Sequence, residues 1–325
     1  MIEVKHLSKS FKVVKKNAGI YAAFKSFFKP NTESIHALKN ISFNIEPGEI
    51  VGYIGPNGAG KSTTIKVMSG ILTPDSGACT INGLTPWTNR IEHVKNIGVV
   101  FGQRSQLWWD IPVIDSFDLL KDIYKISEGN YDYAVQLLSD ILSIEDLLET
   151  PVRQLSLGQR MRCEIAASLL HNPKILFLDE PTIGLDAISK IAVRDFIKQI
   201  NKSQKTTVIL TTHDMHDIEA LTDRIILIGK GEVLFDGLLS TIKNKYITHK
   251  TITIDHHQDN FILSHEGVEL IEQSTTRMVM TVDIRNVAIS DVITYLAKNL
   301  DVIDITVDDP SLEDIMVQMY KAYNI

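Results

Sequence analysis

Apolar and polar positions along this chain follow two periods that take turns. Residues 1–14 and 41–54 read as short strands, and the apolar run Ile50–Ile54 enters a glycine-rich turn. A helix pattern covers 61–70, a strand 96–101, and a largely helical stretch 113–150 with Val135, Leu138 and Leu142 at helical spacing. A helix over 159–171 then precedes strands at 175–178, Thr207–Thr211 and 224–228, with helices over 187–202 and 215–222 between them. Strand–helix alternation of this kind predicts an α/β fold with a mostly parallel sheet covered by helices.

The pattern changes near residue 240. Beyond it come short strands (251–255, 276–283, 302–307) and two helices. The first helix starts at Ile289 and carries Val292, Ile293, Leu296 and Leu300 on one stripe. The second opens at Ser311, with Asp314 placed to complete a capping box. The chain thus reads as a first domain over 1–240 and a small α+β domain over 241–325. Residues 15–35 interrupt the first domain with Lys and Phe. Ile20, Phe24, Phe27 and Phe28 fall on one helical face, flanked by Lys15, Lys16, Lys25 and Lys29. Such a face either touches a membrane surface or a partner, or packs on its own domain.

Composition narrows the function. A chain of 325 residues is long enough to bury a full core. The net charge of −7 argues against a nucleic-acid partner, because neutralising a phosphate backbone takes clustered Lys and Arg. The first residues carry no secretory signal, and no apolar run approaches the roughly 18 residues of a membrane span. A soluble protein, unable to form a pore itself, is therefore expected. Cys79 and Cys163 lack metal-ligand spacing and read as reduced, small hydrophobes of a cytoplasmic protein.

The chemistry starts at Gly55, Pro56, Asn57, Gly58, Ala59, Gly60, Lys61 and Ser62, followed by Thr63, which fits G-x-x-x-x-G-K-[ST] between a strand and a helix. Glycines let backbone N–H groups turn inward around phosphate oxygens, and the helix start adds a positive dipole end. Lys61 is placed for the β- and γ-phosphates and Ser62 for Mg²⁺. Further on, the apolar strand ends in Asp179 and Glu180. Asp179 is placed to hold Mg²⁺, and Glu180 to polarise an attacking water.

Leu155-Ser156-Leu157-Gly158-Gln159 resembles the Leu-Ser-Gly-Gly-Gln signature of ABC (ATP-binding-cassette) ATPases, and lies just ahead of the Asp179–Glu180 strand. Gly184-Leu185-Asp186 resembles the family's D-loop, His213 its switch histidine and Gln103 its Q-loop glutamine. The likeness spans roughly 1–240. It implies a P-loop cassette with a mostly parallel sheet, an antiparallel β-subdomain and a helical subdomain at about 104–172. It implies ATP and Mg²⁺ as cofactors, with Glu180, His213 and Gln103 acting in hydrolysis and Gln103 joining Ser62 and Asp179 at the ion. Ser156, Gly158, Gln159 and Asp186 would complete the nucleotide site across a head-to-tail homodimer or heterodimer. Phe11 stands where an aromatic stacks on adenine. The departure is Leu157, in place of glycine.

The pattern looks most like the ATPases of ABC-2 exporters, which serve a separate integral membrane permease. They are cytoplasmic proteins, peripheral on the inner face of the cell membrane. The 241–325 domain resembles the appendage of drug-exporter-like ATPases, where an accessory or regulatory role is expected. The region around Trp108 and Trp109 is where the family meets its membrane subunit, and one or both rings are either exposed there or buried in the helical subdomain. Two other readings stand beside the exporter. A cassette that regulates a non-transport membrane partner fits the same residues. A soluble cassette acting on ribosomes or DNA usually joins two cassettes or carries a coiled coil, which this acidic, single-cassette chain lacks.

Overall fold

The computed structural model describes residues 1–14, 32–102, 105–257, 263 and 265–323. The amphipathic face over 20–29 and the glutamine at 103 lie outside these residues. The chain divides into two units, Met1–Leu238 and Leu239–Ile325.

The centre of the first unit is a six-stranded sheet ordered β5-β6-β7-β3-β8-β9. Its strands are β3 (Ile50–Ile54), β5 (Ile97–Phe101), β6 (Ile175–Asp179), β7 (Thr207–Thr211), β8 (Arg224–Gly229) and β9 (Glu232–Leu238). The first five are parallel, and β9 turns back antiparallel on β8. Every residue of β7 is buried, as are Ile175–Leu178 in β6. Continuous Val, Ile and Leu runs suit strands covered on both faces. Because β6, β7 and β3 are parallel neighbours, the loops that leave them gather at one carboxyl edge of the sheet, where open α/β sheets bind ligands.

A second sheet of this unit is antiparallel, ordered β2-β1-β4, with β1 (Ile2–Val14), β2 (Thr32–Ile45) and β4 (Ser76–Ile81). The strand expected over 41–54 is therefore two strands in two sheets, and its first half starts far earlier, at Thr32. That extension is set by pairing, Phe11 opposite Ile35 and Lys12 opposite Ser34, which no local pattern reveals. Register shifts between Val4 and Ser10 bring Leu7 into the core with Ile2 and Val4. Helix α1 (Lys61–Met68) lies in the same core through Ile65, Val67 and Met68.

Short α2 (Arg90–Val94) precedes β5. The stretch 113–150 resolves into α3 (Val113–Tyr124), α4 (Glu128–Leu142) and a 3-10 turn at Glu145–Leu147. Lys125 and Ser143 end the two helices in the left-handed conformation. Both pack on α5 (Leu157–Leu169), and α6 (Ala187–Gln204) and α7 (Met215–Leu221) fill the crossovers around β7.

In the second unit four antiparallel strands are ordered β11-β12-β10-β13: β10 (His249–His256), β11 (Val268–Gln273), β12 (Arg277–Asp283) and β13 (Val302–Asp308). Ile252, Ile254, Met278, Met280 and Val282 share one face and are covered by Val292, Leu296 and Leu300 of α9 (Ile289–Asn299), with Ile293 at the margin. The predicted stripe is thus the face that packs. Strand β11 and helix α8 (Leu239–Tyr246) were not legible in the pattern; α8 packs on α10 (Leu312–Ala322). At the start of α10, Ser311 Oγ accepts from Asp314 N at 3.1 Å, but the Asp314 carboxylate takes the Ser311 hydroxyl at 2.7 Å, not the backbone N–H a full capping box would use.

Among the described residues no helix is long and apolar enough to cross a membrane. Cys79 and Cys163 are both buried free thiols. Burial pushes each thiol up to about 12.

Candidate active site

The loop 55–60 leaves β3 at the middle of the sheet. Its shape depends on two glycines. A Cβ on Gly55 would stand 2.1 Å from the Ile228 carbonyl oxygen of β8, and one on Gly60 would stand 2.6 Å from Ala37 O, with φ at +112°. Any side chain at either place would push the loop off its neighbours. Gly60 is also the N-cap of α1, and no side chain caps that end. The first N–H groups of the helix are therefore free for an anion.

Lys61 is only 7% exposed, and its Nζ donates to Gly55 O at 2.6 Å and Pro56 O at 3.2 Å. Burial lowers its affinity for its proton, opposed by the carboxylates of Glu180 and Asp179. Asp179 ends β6 opposite Thr211 of β7, whose hydroxyl donates to Asp179 Oδ1 at 2.5 Å. Ser62 Oγ reaches the same oxygen at 3.4 Å.

Glu180 follows with φ of +59°, unusual for a side-chain-bearing residue, and its N–H donates to Thr211 O at 2.9 Å. This turn lifts its carboxylate toward the loop after β7, where His213 Nε2 lies 3.2 Å from Glu180 Oε1 and 3.5 Å from Lys61 Nζ. A neutral Nε2 either donates to the carboxylate or accepts from the ammonium. Burial raises the Glu180 pKa above the ordinary carboxylate value; His213 and Lys61 pull it back, and Asp179 adds to the rise.

Phe11, Pro56, Asn57, Gly58, Ala59, Gly60, Lys61, Ser62, Thr63, Glu180 and His213 line one cleft of about 520 Å³. The loop residues thus meet Glu180 and His213, which come from distant parts of the sequence. Phe11 is 36% exposed on the cleft wall, with Lys9 Nζ 5.8 Å from its ring centre. Asp179 opens onto a neighbouring hollow with Ser62 and Gly102.

Ser156, Gly158, Gln159 and Asp186 do not line that cleft. Ser156 is the N-cap of α5; its Oγ accepts from Gln159 N at 3.2 Å, and Gln159 Oε1 accepts from Ser156 N at 2.9 Å. Asp186 caps α6 by accepting from Ser189 N at 2.9 Å. The two helix starts touch: a Cβ on Gly158 would meet Ser189 Oγ at 2.6 Å, and one on Gly184 would meet Leu157 Cδ2 at 2.7 Å. Leu157 therefore lies over the D-loop-like turn of its own chain.

Sequence reading missed one cluster. Asp217, fully buried in α7, accepts from Arg194 Nε at 2.6 Å, Thr212 Oγ1 at 3.1 Å and the Thr182 hydroxyl. Thr182 follows Glu180 and Thr212 precedes His213, so one carboxylate ties the loops that carry Glu180 and His213 to α6. No spacing rule signals it, because its partners come from separate segments.

Comparison with known proteins decides the family. Residues 38–183 match the family model described as ABC transporter, and residues 237–320 the model described as ATP-binding protein DrrA1-3-like, C-terminal domain. The ABC transporter ATP-binding protein NatA of Bacillus subtilis is 32% identical over 215 residues, covering 66% of this chain and 87% of that protein. The chain belongs to the ABC transporter ATP-binding proteins. A second relative, the linearmycin resistance ATP-binding protein LnrL of Bacillus subtilis, is 28% identical over 290 residues, covering 87% of this chain and 93% of the relative. An ATP-binding cassette solved as a dimer in a post-hydrolysis state with ADP and Pi superposes with a TM-score of 0.61, at 28% identity over 74% of this chain and 99% of that one. The ATP-binding subunit of an ABC transporter gives 0.63 at 25% identity, over 75% of this chain and 92% of that one. This ABC cassette is an ATPase, with the P-loop fold its motifs predicted.

Proposed function

We propose that this ATPase is the motor subunit of an ABC-2-type exporter, in which two cassettes close head to tail on ATP and reopen after hydrolysis to drive a separate permease at the inner face of the cell membrane. The observation that carries the reading is the division of the site. Lys61, Glu180 and His213 share one cleft, while the capped start of α5 at Ser156 and Gly158 lies outside it. A second copy presenting its own Ser156 would complete the cleft, and contacts made only in the closed state supply the free energy of closure. The DrrA-like match at 237–320 and the linearmycin resistance relative support export. Trp108 and Trp109 are 42% and 52% exposed, which suits a permease-facing surface.

Within the cleft the roles follow from chemistry. Loop N–H groups and Lys61 hold phosphate oxygens, and Phe11 offers a flat face to adenine. Ser62 and Asp179 are hard oxygen donors 3.4 Å apart, a pair that suits Mg²⁺ completed by phosphate and water oxygens. Bound there, the ion would neutralise charge on the phosphates. Glu180 takes a proton from the attacking water, and His213 holds the γ-phosphate in line. The second unit would regulate or steady the dimer.

The test is Glu180→Gln. Turnover should fall by about 10²–10⁴-fold, the worth of a general base, with ATP affinity kept. Purified from native membranes with ATP, the variant should bring down a multi-span protein bearing a transport pathway. Near-normal turnover would remove Glu180 from its role. A membrane partner without such a pathway would replace export with regulation of that partner.

A further inference from the structure

Glu164 lies on α5, roughly two turns beyond Ser156, and is 4% exposed. Its carboxylate does not face the cleft. It takes the Ser105 hydroxyl and, at 3.0 Å, the backbone N–H of Gln106. The Gln106 side chain answers by donating to Glu164 O at 2.8 Å. The carboxylate and the carbonyl of one residue thus grip two neighbours on the β5–α3 connection. Burial raises the pKa of this carboxyl, opposed by its Ser105 and Gln106 hydrogen bonds.

The residues beyond Gln106 are also held by the signature region. Leu107 is buried, whereas Trp108 and Trp109 are exposed. Arg160 of α5 lies with Cζ 5.8 Å from the Trp109 ring centre. Arg153, just ahead of the signature, donates its N–H to Trp109 O at 3.0 Å and its Nη1 to Asp110 at 2.8 Å. The exposed tryptophans therefore stand on a segment fastened to α5 and its approach, and Glu164 supplies a buried carboxyl group to that fastening.

We propose that Glu164 is a positioning residue for ATP hydrolysis, joining the Ser105–Asp110 segment to the signature helix so that the tryptophan surface and Ser156 move as one body. It rests on the reading above, in which Ser156 completes a second copy's nucleotide site. The side chain bonds two converging partners at once; a leucine of similar size would leave the Gln106 N–H without its partner. A glutamine would keep both bonds, its oxygen accepting from Gln106 N–H and its amide donating to Ser105 Oγ.

The experiment uses the full chain with Trp87→Phe as background, leaving Trp108 and Trp109 as fluorophores. Glu164→Leu should keep the KM for ATP within about twofold, because no cradle residue is touched, and lose about tenfold or more in kcat, the worth of one buried N–H left without its partner. The ATP-induced change in tryptophan fluorescence should vanish with it. Glu164→Gln should restore both. Ser105→Ala, at an exposed position, should lower kcat in the same direction, and its effect should shrink in the Glu164→Leu background. Wild-type kcat and fluorescence response in a folded Glu164→Leu protein would overturn the proposal. So would a Glu164→Leu protein that melts early while Ser105→Ala behaves as wild type, since the role is then structural. Glu180→Gln runs alongside: if it hydrolyses normally, the catalytic reading fails, whereas a dead Glu180→Gln beside a fully active Glu164→Leu sinks this inference alone.

Discussion

Replacing Asp217 with Asn should destabilise the first unit more than any exposed substitution around the cleft. The side chain is fully buried, and its Oδ1 is 2.6 Å from Arg194 Nε, while Oδ2 receives the hydroxyls of Thr182 and Thr212. Arg194 is itself 18% exposed, so loss of the negative charge leaves a mostly buried guanidinium with Asp214, at 3.6 Å, as a weaker partner. Breaking a buried pair from one side costs about 3–5 kcal/mol. Asparagine keeps one acceptor oxygen and Asp214 remains, so the lower end, about 3 kcal/mol, applies. For a unit of this size that is a fall in melting temperature of about 6–12 °C. Circular dichroism melts of wild type and variant measure it. Replacing both partners together, Asp217→Leu with Arg194→Met, should recover much of the loss, because no charge is then stranded. A single variant melting within about 2 °C of wild type, less than 1 kcal/mol, would refute the argument that this carboxylate ties the loops of Glu180 and His213 together.

The geometry carries three more expected outcomes. Gly55→Ala places a methyl 2.1 Å from Ile228 O, so nucleotide binding measured by calorimetry should be lost even where the protein folds. Glu180 carries a folded-state pKa raised by burial, so the folded form holds more protons than the unfolded one above the ordinary value of 4.5. Its contribution to stability is full below that value and is lost as pH rises through the folded pKa; Glu180→Gln should therefore raise the melting temperature at neutral pH, with a gain that shrinks on acidification. Cys79 and Cys163, buried and with thiols pushed up to about 12, should react with an aromatic disulfide reagent only as fast as the native protein opens; prompt labelling of either would contradict the packing.

The elements that could be read ahead of the structure are those whose signal is local. A phosphate loop announces itself because its glycines, lysine and serine are close neighbours in sequence, and each answers a demand of the same few ångströms. The apolar runs 175–178 of β6 and 208–210 of β7 and the stripe on α9 were legible because burial on two faces or one leaves a direct trace in hydrophobic period. The long β2 was not, since its first residues lean on β1 and owe their strand conformation to that partner.

By itself the sequence determined which groups the protein owns: the cradle, the paired Asp179 and Glu180, the signature and the histidine. It also set the order in which they occur, enough to imply the family. Only the tertiary structure decided which of them meet. Sheet order sets β3 beside β7, and the left-handed turn at Glu180 aims its carboxylate at His213. It also sent both tryptophans outward and buried Glu164 and Asp217 among donors from remote segments. The reason is physical: local pattern follows the period of a helix or strand, whereas a buried carboxylate is permitted only where folding has already assembled its donors.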